Sequence, residues 1–234
     1  MTTQPTTGRY RYTLDGVEIP VEERFAIEPQ TGGLLITGFR SAPGTRLDVE
    51  ASYLTDGTTN CVLMWTSELE GMASSVRAAY EVALDGSVVA TWITEGGPEV
   101  TQAIAAAGVQ APSFFPLMRV FSGRSLAKLV EVSPTPLPVL VPDIRDPKAV
   151  ERFLTPLLGD RFAASVEPGM CAVDGIERSC SVVDYRGGSY DSDATVYLDA
   201  GGLLLRYTWP QEGVGDWDVE LCEVVGDWPE PSQW

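Results

Sequence analysis

The 234-residue sequence contains no histidine and only two lysines, Lys128 and Lys148. Without imidazole there is no Ser-His or Cys-His nucleophile pair and no His-ligated zinc. The commonest general base near neutral pH is also missing. Any catalysis therefore has to run on carboxylates, tyrosines, thiols or arginines. The cysteines, at 61, 171, 180 and 222, include no C-x-x-C pair. Structural zinc draws on close-spaced thiolates, so no metal and no cofactor are expected, and the thiols read as small buried hydrophobes. No apolar run approaches the roughly 18 residues that a membrane span needs. The opening MTTQPTTGRYRY lacks the basic start and apolar centre of a signal peptide. A cytoplasmic protein, not inserted in a membrane, is the expectation.

Basic residues are scarce as well, 16 against 33 acidic ones, for a formal net charge of −17. Such a surface repels phosphate backbones and anionic bilayers, which argues against nucleic-acid partners. The acidic residues are dispersed rather than blocked, the pattern of a solvated surface. The hydrophobic content of 44% is that of a globular chain.

What the chain does have is a rhythm of short alternating strands. Residues 8–96 form a first strand set and residues 160–225 a second, with a polar start and an aperiodic tail at 226–234. The clearest local signal is Asp15-Gly16, a pair suited to the positive φ of a two-residue turn. That turn sets Leu14 opposite Val17, Tyr12 opposite Ile19 and Tyr10 opposite Val21, all on one face. Arg9, Arg11 and Thr13 take the other, and Phe25 and Ile27 continue the apolar face. Leu47, Val49, Ala51 and Tyr53 face inward in the next alternating segment. Residues 60–67 read as buried on both faces. A two-residue turn at Asp85-Gly86 would put Val76, Ala78, Tyr80, Val82, Leu84, Val89 and Ile93 together. Asp174-Gly175 turns a further hairpin, with Val173 opposite Ile176 and Cys171 opposite Arg178.

Residues 97–159 interrupt this rhythm. Pro98, Glu99 and Gly108 carry helix start and stop signals. Residues 112–121 pack Phe114, Phe115, Leu117, Met118, Val120 and Phe121 into ten positions, with Ser113 as a cap for a short helix. Residues 126–132 read as a strand. Pro134, Pro136, Pro138, Pro142 and Pro147 predict an extended, stiff run. Asp146-Pro147 caps a second helix whose apolar face is Val150, Phe153, Leu154, Leu157 and Leu158. A helix as apolar as 113–121 either packs in the core or lids a cavity.

Other constellations have a plain reading beside the chemical one. Asp191, Ser192 and Asp193, with Asp184 and Asp199, offer oxygens for calcium, but lack the spacing of a calcium loop and suit turns. Asp216 with Asp218, or Glu220 with Glu223, could pair as glycosidase acid and base. In so acidic a chain, spacing singles none of them out. Trp65, Trp92 and Trp209 fit a sugar- or lipid-binding face as well as a core.

The stretch Gly8-Arg9-Tyr10-Arg11-Tyr12-Thr13-Leu14-Asp15-Gly16-Val17-Glu18-Ile19, followed by Arg24-Phe25-Ala26-Ile27-Glu28, resembles the start of a bacterial superfamily. This is the lipoprotein-carrier superfamily: LolA, LolB and LppX-like proteins and related glycolipid-binding half-barrel domains. The resemblance is one of strand rhythm and of the placement of the interruption, over residues 8–225. It implies a long antiparallel sheet curled into a half-barrel, with helices covering its concave side and a lipid held there. The proline run departs from that pattern, as does the lack of an export signal or lipidation cysteine near the start.

The expectation is thus a mainly β protein: one domain over residues 1–234, built on a large curved antiparallel sheet, with two or three short helices covering the concave face. Its expected role is non-catalytic binding of an apolar small molecule or lipid. The lining residues would be Tyr10, Tyr12, Tyr53, Tyr80, Phe114, Phe115, Met118 and Phe121. A hydrolase or isomerase working with Asp, Glu and Tyr in the same hollow is the alternative. It needs an inward carboxylate, which the register arguments do not reveal. A structural or protein-interaction module is the third reading, and the oligomeric state stays open.

Overall fold

The computed structural model describes residues 4–69, 71–104, 112–146, 149–187 and 194–227. The first strand set is a meander. It runs β1 (Thr6–Leu14), β2 (Val17–Glu18), β3 (Glu22–Gln30), β4 (Gly33–Ala42), β5 (Thr45–Leu54), β6 (Thr59–Leu69), β7 (Met72–Val82), β8 (Val88–Thr94) and β9 (Val100–Ile104). Two-residue β10 (Ser113–Phe114) follows, then a 3-10 turn (Arg119–Phe121) running straight into α1 (Ser122–Val132). Next come β11 (Leu137–Pro142) and a second 3-10 turn (Val150–Arg152). The second set is β12 (Pro156–Val173), β13 (Ile176–Arg186), β14 (Ala194–Leu198), β15 (Leu204–Gln211) and β16 (Gly215–Val225).

All sixteen strands belong to one open sheet. The path runs from β10 through β11 and β12 to β16, crosses to β1, and continues through β3 to β9. The first strand therefore lies mid-sheet, paired with the last one along Thr7↔Val225 to Leu14↔Trp217. Every pairing is antiparallel except β10 with β11. The large curved antiparallel sheet expected from the hairpin rhythm is the architecture found. Among the described residues, no helix is long and apolar enough to cross a membrane.

Register decides which side chains face the concavity. Leu14↔Val17 and Thr13↔Glu18 form as the Asp15-Gly16 turn requires. Beyond Pro20 the pairing slips by two, so that Tyr10 meets Glu23 rather than Val21. A two-residue slip preserves the face. Tyr10, Tyr12, Phe25 and Ile27 are all buried as expected, and so is Glu23, with no exposed surface at all. Hairpin β7–β8 went the other way. Its pairing is Val82↔Val88, leaving residues 83–87 as the loop, one residue off the two-residue turn. Val76, Ala78 and Tyr80 of β7 are buried as expected, but the one-residue shift reverses β8, so Val88 and Ala90 are buried while Val89 and Ile93, and Leu84 in the loop, are exposed. In β6 a single face is buried: Cys61, Leu63 and Trp65 point in, and Met64 is exposed.

The interruption folds differently from its sequence signals. Val100–Ile104 is an edge strand, its β-branched start paired with β8. The rest of that expected helix, with Ala107 and Gly108, lies outside the described residues. The helix expected over 112–121 is a short strand, a turn and one 3-10 turn. Residues 126–132, read as a strand, belong to α1. Its buried face is Ser122, Gly123, Ser125, Leu126 and Leu129. Leu126, Leu129 and the half-buried Val130 recur at helical spacing against Lys128 and Glu131, a period that the expected strand missed. The helix expected after Asp146 is one 3-10 turn, and Leu157 and Leu158 have joined β12. The proline run is extended, as expected, over Leu137–Pro142, which is β11 against β12, whereas Pro134 lies in a turn and Pro147 lies outside the described residues.

The interruption plugs the concavity. Leu117, Met118, Val120, Phe121, Phe153 and Leu154 are buried against the inner face of the sheet. Removing each such side chain from water is worth about 1.5–3 kcal/mol. Two glycines make room. A Cβ on Gly38 would lie 2.6 Å from the Met118 methyl, and one on Gly123 would lie 1.3 Å from the Gly202 carbonyl oxygen. Helix α1 thus rests directly on the turn between β14 and β15. Gly123→Ala should lower stability by at least about 2 kcal/mol in urea unfolding, the scale of overpacking against fixed backbone. Gly159→Ala, with nothing within 4 Å of its new methyl, should change it far less. Equal effects would refute the seating of the helix on that turn.

Candidate functional site

The interior leaves little room. Under α1, a cavity of about 40 Å³ lies among Phe115, Arg119, Ser122, Ser125, Leu129 and Tyr207, space for a water or two. The larger hollows open to solvent. One, of about 350 Å³, is lined by Tyr12, Leu47, Trp65, Phe153, Trp209 and Trp217 together with Arg40, Arg46 and Arg119. Another, of about 370 Å³, is bounded by Phe115, Leu117, Val139, Val141, Leu157 and Tyr207 among others, while hollows of about 570 and 420 Å³ open beside α1 and beside Arg9 and Pro20. The first two share Arg40, Arg119, Ile144 and Trp209 in their walls. Each reaches the roughly 300–1,000 Å³ of small-molecule sites.

Two rows of cross-strand neighbours build the first cleft. One runs Tyr10, Glu23, Arg40, Leu47, Trp65 and Val76, each the register partner of the next. The other is Leu14, Trp217 and Trp209. Trp209 and Trp217 stack in parallel with centroids 5.4 Å apart, Tyr207 lies 4.7 Å from Trp209, and Trp65 meets Phe153 at 4.2 Å. Such pairs add about 0.5–1.5 kcal/mol beyond their buried area, so the walls are firm.

Arg119 is held at the junction by a carboxylate. Glu23 Oε1 accepts the Arg119 backbone N–H at 2.6 Å, and Glu23 Oε2 accepts the Tyr12 hydroxyl at 2.5 Å. Just before it, Leu117 sits at φ 70°, strained for a bulky residue, and its carbonyl accepts from Arg40 Nη1 at 3.4 Å. The Arg119 guanidinium lies over Tyr207, 4.5 Å from the ring centroid, and over Trp209 at 5.2 Å. Its Nε is enclosed without an acceptor among the described residues, as is Trp209 Nε1.

Glu23 is the inward carboxylate that an enzyme reading needs, but it lines neither cleft. Both its oxygens are committed to the Tyr12 and Arg119 bonds. Alternation alone places it on the face of Val21, Phe25 and Ile27, and places Arg40 with Leu34 and Ile36. Both signals were present in the sequence. Trp217 and Arg119 carried none, because their positions depend on the β15–β16 register and on the path of the plug.

Of the residues expected to line a cavity, Tyr12 borders the first cleft and Phe115 the second. Tyr10, Tyr80, Met118 and Phe121 are core, and Tyr53 and Phe114 pack against it. Tyr53 meets Phe121 at 6.4 Å, while Tyr80 contacts Phe114 at 5.0 Å and donates to the Leu154 carbonyl at 2.5 Å. Trp65 and Trp209 share the first cleft. Trp92 is half-buried and lines neither hollow. The acidic residues considered for glycosidase chemistry all lie on β16, where Glu220 pairs with Arg11, Glu223 with Arg9, and Asp218 with Arg206. Asp191, Ser192 and Asp193 lie outside the described residues. Among those described, no cluster of three metal-binding side chains forms.

No family model matches the chain, and no curated protein does either. Among solved structures it is similar to a β-barrel-like protein of a domain of unknown function, DUF1849, from Brucella abortus. The TM-score is 0.57 at 11% identity, over 97% of this chain and 99% of the other. That likeness establishes a β-barrel-like fold.

Burial, and then the Glu23 charge, push the Tyr12 pKa from 10.0 up to about 12. A tyrosine whose folded pKa exceeds its unfolded value stabilises the fold fully below pH 10, and loses that contribution as pH rises through the folded pKa. Two units correspond to about 2–3 kcal/mol. Denaturant titrations should therefore show stability falling between about pH 10 and pH 12. Tyr12→Phe should flatten this fall and cost about 1.5–3 kcal/mol at pH 7. An unchanged alkaline profile would exclude Tyr12 as a source.

Proposed function

We propose that this protein is a non-catalytic binder of an apolar small molecule or lipid chain, held in the aromatic cleft at the mouth of the curved sheet. The observation that carries the reading is the 350 Å³ hollow walled by Trp65, Phe153, Trp209 and Trp217. Trp65, Phe153 and Trp209 are themselves buried and Trp217 is half-buried. A hollow lined mainly by such rings, with a few polar groups, has the usual make-up of a small-molecule site. The half-barrel carriers that the sequence resembles hold lipids against the concave side of such a sheet. Here the plug fills that side, so the ligand lies beside Phe153 and Ile144 rather than beneath Met118.

Three tryptophans in the wall make binding visible. Titration with dodecanol should shift or quench the intrinsic fluorescence with saturation. Ile144→Lys, which puts a charge at the junction of both hollows, should weaken that binding about tenfold or more while leaving the fold intact by circular dichroism. Absence of any saturable change in the unmodified protein would reject the reading.

A further inference from the structure

The cleft is charged against the trend of the whole chain. In a sequence with twice as many acids as bases, its walls hold Arg40, Arg46 and Arg119 and no carboxylate. Arg46 is neutralised by Asp48, with Nη2 and Oδ1 2.6 Å apart. Arg40 and Arg119 have no ion pair within 4 Å among the described residues. Glu23 is the register partner of Arg40, but its two oxygens are committed to the Tyr12 hydroxyl and the Arg119 backbone N–H.

The donors here also outnumber the acceptors. Arg119 Nε and Trp209 Nε1 are both enclosed with no acceptor, and Arg40 makes a single long bond to the Leu117 carbonyl. Buried donors without acceptors leave positive ends of dipoles uncompensated, and the two guanidinium groups share the single charge of Glu23. Stacking on Tyr207 and Trp209 supports the Arg119 cation but supplies no acceptor oxygen. The charges that face Arg119 are Glu23 on β3 and Arg40 on β4, and the adjoining hollow also carries Asp143, Arg145, Asp160 and Arg161, both signs in equal number. Tyr12, its pKa pushed up to about 12, is neutral at pH 7. The clamp is thus positive at one end of an aromatic wall.

Resting on the cleft-binding reading above, we propose that the ligand is an anion-headed, single-chain amphiphile. Arg40 and Arg119 bind its carboxylate or phosphate oxygens, and Trp65, Phe153, Trp209 and Trp217 cover its chain. Guanidinium donors form strong charge-assisted bonds with either type of head.

The test compares dodecanoate, dodecyl phosphate and dodecanol on the full chain by tryptophan fluorescence and calorimetry, with acetate and inorganic phosphate as tailless heads. The expected result is that both anionic amphiphiles bind at least about tenfold tighter than dodecanol. Arg40→Gln and Arg119→Gln, each shown folded by urea unfolding, should then lower the affinity for the anionic amphiphiles about tenfold more than they lower that for dodecanol. The ratio of dodecanoate to dodecyl phosphate separates a carboxylate from a phosphate preference. If dodecanol binds as tightly as the anions and neither variant matters, the head assignment fails and the apolar cleft stands. Should the tailless anions bind as well as the amphiphiles, the site is an anion site and the amphiphile class is wrong. If none of the three long-chain probes binds up to about 1 mM, both readings fail.

Discussion

One carboxylate on the inner face of the sheet ties the first strands to the start of the plug. Glu23 has no exposed surface and accepts from the Tyr12 hydroxyl and the Arg119 main chain. A buried charge is tolerated only where its oxygens are satisfied, so strand β3, strand β1 and the start of the plug must meet at that point. With that junction formed, Arg119 lies over Tyr207 and Trp209, and the strained Leu117 turn presents its carbonyl to Arg40. The cleft and its polarity are consequences of where one acid was buried.

The plug obeys the same economy of space. A strongly curved sheet leaves a concave apolar face that must be covered, and short sheet segments with two helical turns cover it here. Close approach is possible because glycines stand where the plug touches: Gly38 beneath Met118, and Gly123 against the Gly202 carbonyl. The result is a filled half-barrel whose open space has moved from the centre to the mouth. Tyr10, Tyr80, Met118 and Phe121 support the walls of a site that they do not enter.

Much of this was legible in alternation. The Asp15-Gly16 hairpin, the inward faces of β1, β3 and β5, and the curved antiparallel sheet follow from period-two patterning and turn chemistry. The same alternation marks Glu23 and Arg40 as inward charges once apolar residues are not the only ones followed. Two kinds of error came from elsewhere. In β7–β8 a longer loop shifted the register by one residue and reversed the β8 face, because loop length and register are coupled. In α1 the leucines at 126 and 129 do recur at helical spacing, but the first half of the buried stripe is Ser122, Gly123 and Ser125, so the segment from Leu126 onward reads as an apolar run.

The sequence by itself determined the class of fold and the inward row from Tyr10 to Ile27, because strand alternation and two-residue turns are local physics. It also determined that no imidazole chemistry operates here. Only the tertiary structure decided that β1 pairs with β16, that the interruption fills the hollow, and that Arg119 joins Arg40 beside Trp209 and Trp217. Those are contacts between residues far apart in the chain. Their energies come from burial and from satisfying Glu23, and no local signal encodes either.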